Sequence, residues 1–103
     1  MIAHSQWRAV DVNKGVLSGT LSRDTVPEIW KHWKTWQPTQ SELEISLADV
    51  ERVDSAGMVM LIHLLEHAKK QNCHIMLSFV PTQLSTLLAL SNVDKYIAEH
   101  IKI

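Results

Sequence analysis

The chain has 103 residues, 46% hydrophobic and 20% charged, the make-up of one soluble globular domain covering 1–103, since neither half alone would bury a core. Ten basic against eleven acidic residues give a formal charge of −1, which excludes the electrostatic footprint of a nucleic-acid binder. One cysteine, Cys73, excludes an internal disulfide and fits a reducing cytosol. No basic-then-apolar leader opens the sequence, and the longest apolar run, 58–62, is far short of the ~20 residues of a membrane span. The expectation is a cytosolic protein that inserts in no membrane and reaches one only through a partner.

Along the chain, Trp7, Ala9 and Val10, then Val16, Leu17, Gly19 and Leu21, predict two short strands around an Asn13-Lys14-Gly15 turn. Asp24 is placed to cap a helix with Pro27 in its first turn, where the missing N–H costs little. Val26, Ile29, Trp30, Trp33 and Trp36 recur at helical spacing until Pro38. Each indole can bury roughly 150–250 Å², more than a short helix on a small sheet can cover. At least one ring, with Trp30 the choice, is therefore expected to stay partly exposed.

Leu43-Glu44-Ile45-Ser46-Leu47 alternates with period two, as a central strand does. From 55 to 72 the pattern is helical again, with Met58, Leu61, Ile62, Leu65 and Ala68 as the core stripe and Leu64 at its flank. On the same wheel Val59 and Met60 fall away from the core side, as apolar residues in the first turns. Residues 74–80 read as a fourth strand, Pro81-Thr82 opens a short helix through Leu90, and a weak helix at 94–100 closes the chain. The order is β-β-α-β-α-β-α-α, which demands parallel pairing across the crossover helices. The predicted fold class is α/β, a small mixed sheet with helices mainly on one face.

The run Leu47-Ala48-Asp49-Val50-Glu51-Arg52-Val53-Asp54-Ser55-Ala56-Gly57-Met58, followed by an apolar helix ending Ala68-Lys69-Lys70-Gln71, resembles the STAS domain family over essentially the whole chain. Within that family, Arg52 to Gly57 and Gly19-Thr20-Leu21 leading to Trp30 look most like the STAS subunits of Gram-negative phospholipid-transport ABC complexes. The resemblance implies a non-enzymatic subunit that binds the complex's ATPase, alongside permease and substrate-binding subunits, and serves the lipid asymmetry of the outer membrane. It also implies that Asp54, Ser55, Gly57 and Trp30 belong to the contact; Ala56, Met58, Val59 and Met60 extend it along the same helix. The alternative within the family is an anti-sigma factor antagonist. Phosphorylated antagonists carry a second serine where this chain has Ala56, so their usual phosphate acceptor is missing here.

Read as chemistry, Asp54-Ser55-Ala56-Gly57 is first a helix start, in which Asp54 or Ser55 accepts from an early helix N–H. Small residues there also let a partner backbone approach. His63-Leu64-Leu65-Glu66-His67 matches a zinc-peptidase spacing, but the only carboxylates that follow as a third ligand are Asp94 and Glu99, on a weak terminal segment, and the pattern reads as a solvated polar face. Ser55 lacks the Gly-x-Ser-x-Gly elbow, and no Gly-x-x-x-x-Gly-Lys run cradles a phosphate. No enzyme, metal or cofactor is expected.

Overall fold

The computed structural model describes residues 6–35 and 37–101. Four strands, β1 (Trp7–Asp11), β2 (Lys14–Leu21), β3 (Glu42–Val53) and β4 (His74–Ser78), form one sheet in the order β1-β2-β3-β4. β1 and β2 are antiparallel, while β2, β3 and β4 run parallel. The helices are α1 (Val26–Lys34), α2 (Ser55–Lys70), α3 (Thr82–Leu90) and α4 (Asp94–Ile97), the last continuing into a 3-10 turn at Ala98–His100. The expected element order and mixed sheet are therefore present.

The hairpin turn falls at Val12 and Asn13 rather than on Asn13-Lys14-Gly15, because Lys14 and Gly15 already pair as the start of β2. Gly15 lies under the Trp7 indole, in space that any Cβ would take from the ring.

Period two decides which face of the sheet is dry. Leu17, Leu21, Leu43, Ile45, Leu47, Val53, Ile75 and Leu77 are buried, whereas the alternate positions Val16, Ser18, Thr20, Glu44, Ser46 and Met76 are only half-buried. The helices cover the first set. Trp33 of α1 is fully buried, its ring edge-on to Trp7 at 4.8 Å between centroids. Burying such a side chain stabilises the fold by at most roughly 4–6 kcal/mol. Trp30 stays half-buried, as expected of one ring in this helix, and Trp36 lies outside the described residues.

The predicted cap of α1 needs correction. Its N-cap is Thr25, and Asp24 is exposed in the preceding turn. Thr25 wins because its hydroxyl donates to the Thr20 carbonyl at 2.7 Å and accepts from the Ser22 N–H at 3.0 Å, bonds that tie the helix to the end of β2. The first helical N–H, that of Val26, is already taken by the Ser22 carbonyl at 2.8 Å.

The α2 stripe is wider than predicted. Gly57, Met58, Met60, Leu61, Leu64, Leu65 and Ala68 are buried, and Ile62 is only half-buried. Leu64 is wholly buried rather than flanking, and Met60, placed off the core by the wheel, is 3% exposed. A wheel assumes one covering surface, but α2 packs on the sheet, on α1 and on α3, so more of its circumference is dry. Val59 is exposed as expected.

The C-terminal segment is locked against β4. Buried His100 donates from Nδ1 to the Ile75 carbonyl at 2.8 Å, stacks on His74, and leads to Ile101, which bridges to Leu77. Cys73 is buried just before β4, where desolvation pushes its thiol up. No helix among the described residues is long and apolar enough to cross a membrane.

Candidate functional site

The start of α2 is built by an exchange of backbone and carboxylate hydrogen bonds with the end of β2. β3 pairs with β2 through Leu21↔Val53, and Asp54 then donates its N–H to the Leu21 carbonyl at 3.0 Å. That turn leaves the Asp54 side chain facing the first helical N–H groups. Oδ1 accepts from Gly57 N–H at 3.0 Å and Oδ2 from Arg23 N–H at 3.1 Å. Asp54, not Ser55, is thus the N-cap.

Burial pushes the Asp54 carboxyl up, but N–H groups of Gly57, Arg23 and Ala56, with the nearby Arg23 charge, together hold it below its ordinary value. A lowered folded value means the ionised cap stabilises the fold above the ordinary carboxylate range, near 3.9. This contribution is lost as pH falls through the lowered value. Asp54→Ala is expected to cost about 1 kcal/mol at neutral pH. Chemical denaturation of both proteins from pH 7 to 2 should show the gap narrowing below the ordinary carboxylate range; a gap constant with pH would rule out the ionised cap as its source.

Gly57 answers to the interior. An added Cβ would collide with the Leu21 carbonyl oxygen and lie 2.8 Å from Leu21 Cβ. The residue is small because α2 begins on top of β2, and its closest neighbour is its own chain. Met58, beside it, is also buried.

Ser55, Ala56 and Val59 remain at the surface, exposed, half-buried and exposed respectively. With Val26 and Trp30 of α1, and Met60 and His63 of α2, they line an open, mainly apolar groove of about 430 Å³. Met60 closes its floor, which reconciles its burial with a place in the site. Trp30 forms one wall, its ring 6.1 Å from the His63 ring and 6.3 Å from that of His67, centroid to centroid. The two histidines of the zinc-like spacing thus sit against an indole. Among the described residues no group of three metal-ligating side chains comes together.

Of the eight residues expected at the site, the fold gathers Ser55, Ala56, Val59, Met60 and Trp30 around the groove; Asp54, Gly57 and Met58 support it from within. Val26 and His63 were not expected there. The sequence held a signal for both: Trp30 is four residues after Val26, and His63 four after Val59, so each pair shares a helix face. What no spacing could supply was that these two faces meet. The groove offers apolar area, one hydroxyl, the His63 imidazole and a tilted indole, a lining suited to hold a partner's side chains.

Comparison with known proteins converges on one family. The family model described as "Mlab, STAS domain" matches residues 11–101. The intermembrane phospholipid transport system binding protein MlaB of Escherichia coli (strain K12) is 34% identical over 77 residues, 75% of this chain and 77% of that protein. Its counterpart in Haemophilus influenzae is 32% identical over 89 residues, 82% of this chain and 85% of that one. Among solved structures, a sulfate transporter family protein from Wolinella succinogenes superposes with a TM-score of 0.70 at 17% identity, covering 91% of this chain and 78% of that one. A putative anti-sigma factor antagonist from Thermotoga maritima gives 0.67 at 18% identity, covering 86% and 79%. At such identities the structural matches speak for the STAS fold alone.

Proposed function

This chain belongs to the Mlab STAS domain family, and from that premise we propose that it is the STAS subunit of an intermembrane phospholipid-transport ABC complex. In this reading it docks on the ATPase subunit and does no chemistry of its own. The observation that carries the docking is the open groove between α1 and α2 beside exposed Ser55, walled by half-buried Trp30. An apolar recess with a partly wet aromatic at its rim gains most from a partner that excludes the remaining water.

The role follows from linkage. A subunit that binds the correctly assembled ATPase pair better than separate ATPase chains shifts the population toward the assembled state. It needs no nucleotide site to do so. The protein reaches the cytosolic face of the inner membrane through this contact. The lipid and its direction of travel are set by the other subunits.

A regulatory antagonist reading is weaker, because Ala56 supplies no hydroxyl where the phosphorylated antagonists carry their acceptor serine. Affinity purification of the tagged chain from native membranes separates the two. Recovery of an ABC ATPase with its permease is expected. Recovery of an anti-sigma factor or its kinase, without transporter subunits, would replace the proposal with the antagonist reading.

A further inference from the structure

Three non-glycine residues among those described have positive φ: Asn72 at 61°, Phe79 at 54° and Asn92 at 57°. The asparagines stand just past the ends of α2 and α3, where Asn readily takes the left-handed conformation and closes a helix. Phe79 has no such role. It joins β4 to α3, and a bulky side chain in that region crowds its own backbone. The residue is also 71% exposed. Strained backbone and wet aromatic surface thus fall on one residue. The conformation has a directional result: Ser78 is buried, Val80 packs on the core, and the ring between them is held out in solvent.

The position of this ring relates it to Ser55. The parallel strands β2, β3 and β4 lead into α1, α2 and α3 respectively, so all three helices start at the same end of the sheet. α2 packs against α1 and against α3. The groove opens on the α1 side of Ser55, and Phe79 leads into the helix on the other side. Gln83, early in α3, ties the two together, its Oε1 accepting from the Val53 N–H at 2.7 Å, one residue before the Asp54 cap. The carboxyl ends of parallel strands are where such folds present binding residues.

We infer that Phe79 is a second anchor for the same ATPase subunit, its ring seating in an apolar pocket of that partner while Trp30 makes the contact on the opposite side of Ser55. The inference rests on the docking reading above. It adds that the contact spans the starts of both α2 and α3, and that the strain at Phe79 holds the ring out before the partner arrives, so little order is lost on binding.

The test compares Phe79→Asn, Phe79→Trp and Ser55→Arg in the full chain, each titrated against the purified ATPase subunit of the chain's own transport system. Asparagine keeps the left-handed backbone, as Asn72 and Asn92 do, and removes the ring. Phe79→Asn is expected to weaken binding at least about tenfold, with a thermal midpoint equal to or above wild type, and Phe79→Trp to retain most of the affinity. Wild-type affinity in Phe79→Asn, beside loss in Ser55→Arg, would overturn this inference and leave the docking reading standing. If the wild-type chain itself does not bind the ATPase, both readings fail. A wild-type dimer that Phe79→Asn turns into a monomer would assign the ring to a second copy, and loss of binding to anionic phospholipid vesicles in that variant alone would assign it to a lipid surface. Either result would overturn the partner named here.

Discussion

Replacing Ser55 by arginine is expected to abolish binding to the ATPase subunit while leaving the fold intact. Ser55 is exposed in the first turn of α2, at the mouth of the apolar groove, so a longer side chain meets solvent in the free protein. Covered by a partner, the same guanidinium would be desolvated among Val59, Ala56 and Trp30 with no counter-charge assigned to it. An unpaired buried charge costs roughly 3–5 kcal/mol, which corresponds to a loss of affinity of at least about a hundredfold. Co-purification of the variant with the ATPase, alongside circular dichroism to check the fold, measures both halves. Full recovery of the ATPase by a folded Ser55→Arg protein would remove the start of α2 from the interface.

Gly57→Ala is expected to act in the opposite sense, on the fold rather than on the contact. Two effects compete. Alanine favours a helix over glycine by up to about 1 kcal/mol, while forcing a methyl into packed space costs typically about 1–3 kcal/mol. The methyl here would meet the Leu21 carbonyl oxygen, which accepts from the Asp54 N–H at 3.0 Å and belongs to a strand residue itself paired with Val53. Backbone fixed on both sides cannot yield as a side-chain tip would, so strain wins and a net loss of about 2 kcal/mol follows. For a domain of this size that lowers the melting temperature by roughly 8–16 °C. Thermal denaturation checks it, and a variant as stable as wild type would mean that α2 shifts off β2 at little cost. Residual binding by Gly57→Ala should track its folded fraction, in contrast to Ser55→Arg.

These two residues, two positions apart, mark what was legible in advance. Both belong to the short run of small residues after Asp54, and both were expected to face a partner. The chain distinguishes them only by folding: the β2–β3 ladder brings Leu21 over Gly57 and leaves Ser55 outside. Met60 tells the same story from the other side. On a helical wheel it lies off the core stripe, yet α1 covers that flank and makes it the floor of the groove. The α1 cap shifted from Asp24 to Thr25 for a related reason, since the Thr20 carbonyl that binds the Thr25 hydroxyl comes from the preceding strand. Phe79 carries no local signal, because the apolar pattern of 74–80 runs through it while the strand ends one residue earlier.

The order of elements, the mixed sheet with its parallel crossovers, the capped start of α2 and the family are all legible in the chain alone. Each of these rests on periods of two or 3.6, on a cap, or on a contiguous motif, all of which are carried by residues close together in the chain. Which small residues are internal, which apolar flank of α2 is dry, and that the Val26–Trp30 and Val59–His63 faces meet as one groove are settled by packing. Those outcomes depend on surfaces brought together from α1, α2 and β2, and the pattern within one helix does not encode which neighbours will cover it.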